Sequence, residues 1–442
     1  MSDINIYETP EAWLRSPQMA HGNIFLTGRA GTGKTSLLKK LIARLRDRAV
    51  ILAPTGIAAM HVGGQTVHSF FKFPPRLITP ADIKRLPNGR VIRAMEVLII
   101  DEVSMLRADM LHAIDLSLKR NRDSQRPFGG VRVILSGDLS QLPPVVRAEE
   151  QAELFDRYGG AYFFHAPAFQ AAEFSLLALK HVFRQAEAQF LSLLGALRRN
   201  RLTEPDYALL QSLVCDQSAI EASETHSVLT PNNANANRIN QARLDQLDSR
   251  ARTYRASVQG KFEPQTYPTE AELDLKVGAR VMLLRNDPEG RWVNGSIGQV
   301  EGFRKESVLV SLEGEVHEVS PVNWEKYEFV KDPKAKKISR KLIGVFQQIP
   351  LRLAYALTIH KAQGLTLDKV YIDFDYGMFA HGQAYVAFSR ARTLDGLRLS
   401  RPLRQRDLVL DRNAYAFGAL EKLEETEDYL LAKFAKPEGV LV

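Results

Sequence analysis

Apolar residues along this chain alternate between two rhythms. Short unbroken runs occur at Asn23–Thr27, Val50–Ala53, Glu96–Ile100, Val131–Ser136, Ser175–Leu179, Ser227–Thr230 and Lys369–Phe374. Between them apolar positions recur every three or four residues, as at Leu37, Leu38, Leu41, Ile42 and Leu45 and at Leu106, Met110, Ile114 and Leu118, and a further helix is expected through Ile239 and Leu244. Unbroken runs suit strands buried on both faces, as parallel sheets require, and the second rhythm is that of amphipathic helices. Strands alternating with helices predict an α/β protein, with parallel sheets covered by helices on both faces.

The rhythm changes between Leu275 and Lys341. Val277–Leu284 alternates and then runs apolar, Arg291–Val300 carries an Asn294-Gly295 turn, and Ser307–Val310 and Val316–Val319 are brief. Short strands joined by tight turns predict a small barrel. The expected organisation is a first α/β domain over 1–172 and a second made of 173–255 and 342–442. A β-barrel at 256–341 interrupts the second. A proline-bearing insertion, Pro74–Arg93 (about 72–93), interrupts the first.

The most specific chemistry lies after the first strand. Gly28-Arg29-Ala30-Gly31-Thr32-Gly33-Lys34-Thr35 fits G-x-x-x-x-G-K-[ST] without a mismatch and leads into the first helical stretch. Such a loop aims backbone N–H groups at phosphates, Lys34 reaches the β/γ-phosphates, and Thr35 is placed to ligate Mg²⁺. Gly28, Ala30, Gly31, Thr32, Gly33, Lys34 and Thr35 are therefore the expected ATP-binding residues. The Glu96–Ile100 run ends in Asp101-Glu102. A strand-end aspartate in this class helps hold the metal, and Glu102 is the candidate to polarise the attacking water. The next strand ends in Gly137-Asp138-Leu139-Ser140-Gln141-Leu142-Pro143-Pro144. Gln141 is expected to orient water or sense the γ-phosphate. Arg184, just past a strand end, and Arg390, closing Gln383–Arg392, are the candidate cations for the transferring phosphoryl. Such a finger contributes roughly 10³–10⁵ in rate.

Composition narrows the partner. Among 442 residues the formal net charge is +8, which favours a polyanion. The single cysteine, Cys215, excludes an internal disulfide and a zinc site built on several cysteines. The N-terminal residues MSDINIYETPEAWL lack a basic n-region and an apolar h-region, and no apolar run approaches about 18 residues. The expectation is a cytoplasmic protein without membrane contact.

In order, the chain shows GRAGTGKT, APTGIAA from Ala53, GGQTVHSFF from Gly63, LIIDEVSM from Leu98 and LSGDLSQLPPV from Leu135. HVFRQ from His181, LTIHKAQGLTLDKV from Leu357 and QAYVAFSRAR from Gln383 follow. These resemble the motifs of superfamily 1B DNA helicases of the PIF (petite-integration-frequency) family, RecD-like enzymes, over nearly the whole chain. The resemblance implies two RecA-like P-loop domains with ATP in the cleft between them, an inserted SH3-like β-barrel, and a short wedge or pin at the proline-bearing insertion. The segment from Val103 to Arg120 resembles the family's signature helix.

The implied activity is ATP- and Mg²⁺-dependent 5′-to-3′ translocation on single-stranded DNA, with unwinding of tailed or forked duplexes. G-quadruplex DNA is a further implied substrate, and replication, repair, recombination and telomere maintenance are family-level settings. A monomer in solution is expected, associated with a bacterial-type nucleoid through DNA. Pro54, Thr55, Gly56, Thr66, His68, Thr358, His360 and Lys361 are the implied DNA contacts, and Gly364 the residue that approaches the γ-phosphate. Contacts to phosphate and sugar suit a motor that ignores sequence. Phe70, Phe71 and Phe73 are read as stacking residues or core. The family's adenine-reading glutamine has only Gln18 as a nearby counterpart, at a short and irregular spacing from Gly28, which leaves base selectivity open. An RNA translocase of the same superfamily and an ATPase remodeller that does not unwind share these motifs.

Overall fold

The computed structural model describes residues 4–7, 13, 22–216, 226–331, 337–375 and 377–418. The chain divides into two compact units. One runs to Phe183 and takes in Tyr327–Lys341 and the stretch from Leu410; the other comprises Arg184–Lys326 and Leu342–Val409.

The first unit is built on a seven-stranded parallel sheet of order β1-β7-β2-β6-β5-β3-β4. The strands are β1 (Ile4–Tyr7), β2 (Asn23–Gly28), β3 (Ala49–Ala53), β4 (Gln65–Thr66), β5 (Val97–Ile100), β6 (Arg132–Ser136) and β7 (Phe174–Leu179). All residues of β3 and β5 are buried, as their unbroken apolar runs predict. The helix Lys34–Leu45 buries Leu37, Leu38, Leu41 and Leu45. The helix Ala108–Arg122 buries Met110, Ile114 and Leu118, so the signature-like segment does present a core face.

Two expectations are corrected here. The run Ser175–Leu179, assigned from sequence to the second domain, pairs in parallel with both β2 and β1, so it belongs to the first sheet. An apolar run carries no mark of which sheet will take it. The helix Arg412–Gly418 also groups with the first unit, where the Phe417 ring stacks on Phe164 at 4.1 Å between centroids. The insertion Pro74–Arg93 is anchored into this unit. Leu77, Ile78, Ile83, Val91 and Ile92 are buried, and the N–H groups of Leu77 and Ile78 donate to Glu150 Oε1 (2.6 Å) and Asp109 Oδ2 (2.9 Å). Arg107 holds both carboxylates, at 2.7 Å and 2.8 Å.

The second unit carries a four-stranded parallel sheet of order β19-β8-β20-β21. Its strands are β8 (Ser227–Thr230), β19 (Ala356–Thr358), β20 (Val370–Ile372) and β21 (Leu397–Leu399). Between β8 and β19 lies an antiparallel, β-rich insertion. It comprises β9 (Arg252–Arg255), β10 (Ser257–Gly260), β11 (Glu272–Leu275), β12 (Arg280–Leu283), β13 (Ile297–Phe303), β14 (Val308–Leu312), β15 (Glu315–Val319), β16 (Val322–Lys331), β17 (Ile338–Gln348) and β18 (Leu351–Leu353). A five-stranded sheet, β15-β14-β13-β12-β18, shares a core with β9 and β11 through Tyr254, Leu275, Val281, Val310 and Leu351. The insertion therefore extends beyond 256–341 at both ends, because β9 and β18 are needed to close its core. The long strands β16 and β17 form a separate sheet of order β10-β17-β16, in which β17 pairs with β10, and their distal part, Tyr327–Lys341, groups with the first unit, burying Phe329 and Ile338 in its core.

Candidate nucleotide and nucleic-acid sites

The phosphate-loop sequence folds as its spacing requires. β2 ends at Gly28, and the helix from Lys34 is entered through Gly33, whose φ of 84° is left-handed. Gly28 is obligatory for a steric reason. A Cβ there would stand 2.8 Å from the carbonyl oxygen of Leu179 on neighbouring β7 and 2.7 Å from Thr32 Oγ1. Thr32 is buried and donates to the Arg29 carbonyl at 2.9 Å, stapling the loop. Phe183 N–H donates to the Gly31 carbonyl at 2.9 Å from the other side. Lys34 Nζ donates to the carbonyls of Gly28 (2.6 Å) and Arg29 (3.0 Å), so its ammonium curls over the loop. Ala30 is buried and Thr35 lies exposed in the first turn of the helix.

Asp101 and Glu102 follow β5, two strands from β2 in the sheet. Asp101 is buried, and burial pushes its carboxyl up from the usual range against the pull of the Lys34 ammonium. Glu102 adopts φ 52°, ψ 42°, a left-handed conformation costly for a residue with a Cβ. Sequence reasoning made Glu102 the candidate for polarising water but had no access to this strain. Gln141 is buried; its Nε2 donates to Asp138 Oδ2 at 3.0 Å, and Asp138 also accepts from Ser140 N–H. Loop, metal-type carboxylate and strained glutamate all stand at the carboxyl edge of one parallel sheet, where α/β folds bind ligands. These residues fit a Mg²⁺-bound nucleoside triphosphate: glycines leave room for phosphate, and Thr35 and Asp101 offer the hard oxygen donors that Mg²⁺ takes.

At the same edge of the first sheet, Thr55 and Thr66 have matching jobs. Ala53 on β3 pairs with Thr66 on β4. Thr55 Oγ1 accepts from Ala58 N–H at 3.3 Å, and Thr66 Oγ1 from Ser69 N–H at 3.2 Å, so each caps a short helix. Pro54 and Gly56 flank the first cap, half-buried. His68 Nδ1 lies 3.2 Å from the Phe73 carbonyl. Gly64 is required by crowding, since a Cβ there would meet the Ile51 carbonyl oxygen at 2.4 Å, while Gly63 adopts a left-handed φ of 65°. Phe70, Phe71 and Phe73 are all core residues, with Phe329 beside Phe70, so none offers a stacking face.

In the second unit Thr358 ends β19 and is buried; its Oγ1 accepts from Lys361 N–H at 3.3 Å. His360 is half-buried, and burial holds its imidazole below the ordinary range. Burial and the Arg352 guanidinium likewise lower the Lys361 ammonium. Gly364, with φ 85°, is exposed. Arg184 donates to the carbonyls of Gly364 (3.2 Å) and Ser389 (3.3 Å), and burial lowers its guanidinium from the usual value.

Arg390 departs from the expected finger. It is 1% exposed, and its guanidinium donates to the carbonyls of Val386, Ala362 and Leu365 and to Ser389 Oγ. Gln185, which sequence reasoning did not assign, donates to the carbonyls of Ser389 and Ala391; its place beside Arg184 in HVFRQ was the available signal. Gln18 lies outside the described residues.

Sheet and loop together define a P-loop NTPase with a RecA-like ATPase core. A family model described as PIF1-like helicase matches residues 14–195. "ATP-dependent DNA helicase Pif1" of Bdellovibrio bacteriovorus is 33% identical over 391 residues, covering 85% of this chain and 84% of that protein. Unliganded Pif1 from Bacteroides sp aligns with a TM-score of 0.86 at 34% identity, covering 96% of this chain and 98% of that one. Bacteroides Pif1 bound to single-stranded DNA aligns at 0.68 and 36% identity, covering 95% and 98%. The chain belongs to the PIF1-like helicase family. It spans 58% of the length of the Danio rerio relative.

Proposed function

We propose that this chain is an ATP-dependent DNA helicase that moves 5′ to 3′ on single-stranded DNA and unwinds tailed or forked duplexes. The observation that carries this reading is the placement of the Gly28–Thr35 loop, buried Asp101 and strained Glu102 on one sheet edge, in a family whose relatives are named as ATP-dependent DNA helicases. Lys34 and the loop N–H groups hold the phosphates, Glu102 takes the proton of the attacking water, and Gln141 orients that water. Arg184 supplies the cation for the transferring phosphoryl, and Arg390 shapes the loop that bears Gly364. Thr35 and Asp101 would hold Mg²⁺, which would supply positive charge to the phosphates. The nucleic-acid strand runs past Thr55, Thr66 and His68 in one unit and Thr358, His360 and Lys361 in the other. Thr55 and Thr66 stand where helix N-termini present N–H groups to phosphates.

The direction rests on the combination of GGQTVHSFF, the helix after Val103, and an SH3-like insertion between Val228 and His360. We place G-quadruplex DNA among the structures opened, and read the protein as a cytoplasmic monomer with no membrane contact. Among the described residues no helix is long and apolar enough to cross a membrane.

The deciding experiment is unwinding of duplexes carrying a 5′ or a 3′ tail, with matched RNA, in ATP and Mg²⁺. Faster opening of the 5′-tailed DNA is expected. Preference for the 3′ tail would overturn the direction, and preference for RNA the substrate.

A further inference from the structure

The stretch 84–93 of the first unit's insertion meets the end of the helix Ala108–Arg122 in a surface that carries charge of nearly one sign. Over 84–93 and 120–126 six cations stand exposed, Lys84, Arg85, Arg90, Arg93, Arg120 and Arg126, against one exposed carboxylate, Asp123. Direct contacts bring the two stretches together. Arg85 pairs with Asp123 at 2.5 Å, Arg93 Nη1 donates to the Asn121 carbonyl at 3.3 Å, and Arg120 Nη1 donates to that of Ile83. The helix Gly89–Ala94 buries Gly89, Val91 and Ile92, so Arg90 and Arg93, three apart, share its outer face.

The surface is held in shape from beneath. Asn121 is 1% exposed; its Oδ1 accepts the Leu86 N–H at 2.9 Å and its Nδ2 donates to the Lys84 carbonyl at 3.3 Å. Arg122 Nη1 donates to the carbonyls of Ile92 and Met95. Asn88 Nδ2 donates to the Phe70 carbonyl at 3.2 Å, which ties the surface to the helix that Thr66 caps and that carries His68. Like charges fixed side by side repel one another, and a polyanion relieves them. Which polyanion follows from what the surface lacks. Proteins that hold single strands set aromatic rings among their cations. Between Lys72 and Gly130 there is no tyrosine or tryptophan, and both phenylalanines, Phe73 and Phe128, are buried. Cations without rings suit a partner whose bases are already stacked and whose phosphates face outward.

We propose that this surface, 84–93 with Arg120 and Arg126, holds the phosphates of duplex DNA, the part of the substrate not yet opened. This rests on the helicase reading above, which supplies a duplex beside the single strand that passes Thr66 and His68. The contact is to the backbone alone, so it carries no sequence preference.

The test is the salt dependence of binding to a short, blunt, fluorescent duplex, beside oligo-dT. On B-DNA each phosphate neutralised contributes about −0.9 to the slope of log affinity against log salt. Lys84→Gln combined with Arg90→Gln should flatten the duplex slope by about 1.8. The slope on oligo-dT, and ATP turnover with oligo-dT, should stay at parent values. Lys84→Arg with Arg90→Lys keeps both charges and should keep the parent slope on the duplex. Thermal unfolding identifies a double variant that fails to fold, in which case the two single glutamine variants decide, each expected to flatten the duplex slope by about 0.9. A parent slope on the duplex in the folded glutamine variants overturns the proposal. Flattening on oligo-dT with the duplex slope unaltered also overturns it, because the surface then belongs to the single-stranded track. A parent protein that binds the blunt duplex without salt dependence has no such surface. Opening of the same duplex with a 5′ tail by the parent protein scores the helicase reading by itself, so its failure is seen apart from that of the surface.

Discussion

Arg390 donates from Nη1 to the carbonyl oxygen of Leu365 at 3.2 Å, from a position of almost complete burial. The same nitrogen lies 3.4 Å from the Ala362 carbonyl. The loop that carries Lys361 and Gly364 is thus gripped from beneath by the last residue of the Gln383–Arg390 run. An arginine expected from sequence to face a phosphoryl group is here turned onto the backbone of that loop. Arg390→Ala should remove hydrogen bonds to a buried charge that each contribute roughly 1.5–3 kcal/mol. Lowered stability in chemical denaturation should accompany the loss of ATP turnover. Loss of turnover with an unshifted denaturation midpoint would restore the finger role and sink the scaffold.

Glu102 offers a sharper separation of stability from activity. Its left-handed backbone costs about 1–2 kcal/mol relative to an ordinary conformation, a cost glycine does not carry. Glu102→Gly should therefore be no less stable than the parent in thermal unfolding, while turnover falls roughly 10²–10⁴-fold with loss of the base. Glu102→Gln should lose turnover similarly and still bind ATP, since Lys34, Thr35 and Asp101 are intact. DNA-stimulated hydrolysis near the parent rate in either variant would refute the assignment.

These two residues show where the sequence was legible. Glycine spacing and apolar runs revealed the phosphate loop and the strands around it, because those features arise from local sterics and from burial on both faces. The membership of β7 was hidden, since Ser175–Leu179 could pair with either sheet and only the register with Asn23–Gly28 decides. The burial of Arg390 and the strain at Glu102 depend on contacts with residues distant in sequence, or on dihedrals, and no spacing encodes either. The long strands β16 and β17 were read as part of a small barrel because short-range alternation does not reveal that Phe329 reaches the core of the first unit.

Acid should weaken the second unit through His226. Burial, helped by Arg398, Lys369 and Arg280, lowers its imidazole from 6.5 to about 4. The unfolded chain therefore takes up a proton before the folded one does. Stability is fully present above the unfolded pKa of about 6.5, declines as pH falls towards 4, and levels off below that. His226→Gln should flatten this part of the pH–stability curve. If the parent and the variant lose stability in parallel between pH 6.5 and 4, the imidazole is not responsible.

Thr66 joins structure to the proposed strand contact, and its two roles can be separated by choice of side chain. Its hydroxyl caps the helix Val67–Phe71, and loss of such a cap costs about 1 kcal/mol. Thr66→Ser keeps the acceptor and should keep both stability and DNA stimulation of ATPase activity. Thr66→Ala should lower stability by that amount and, if the strand passes Thr66 as proposed, reduce the DNA-stimulated rate more than the basal rate, since Lys34 and Glu102 are untouched. Steady-state ATPase with and without oligo-dT, beside urea denaturation, measures both. Equal losses in basal and stimulated rates would mean that Thr66 only holds the domain together and that the strand passes elsewhere.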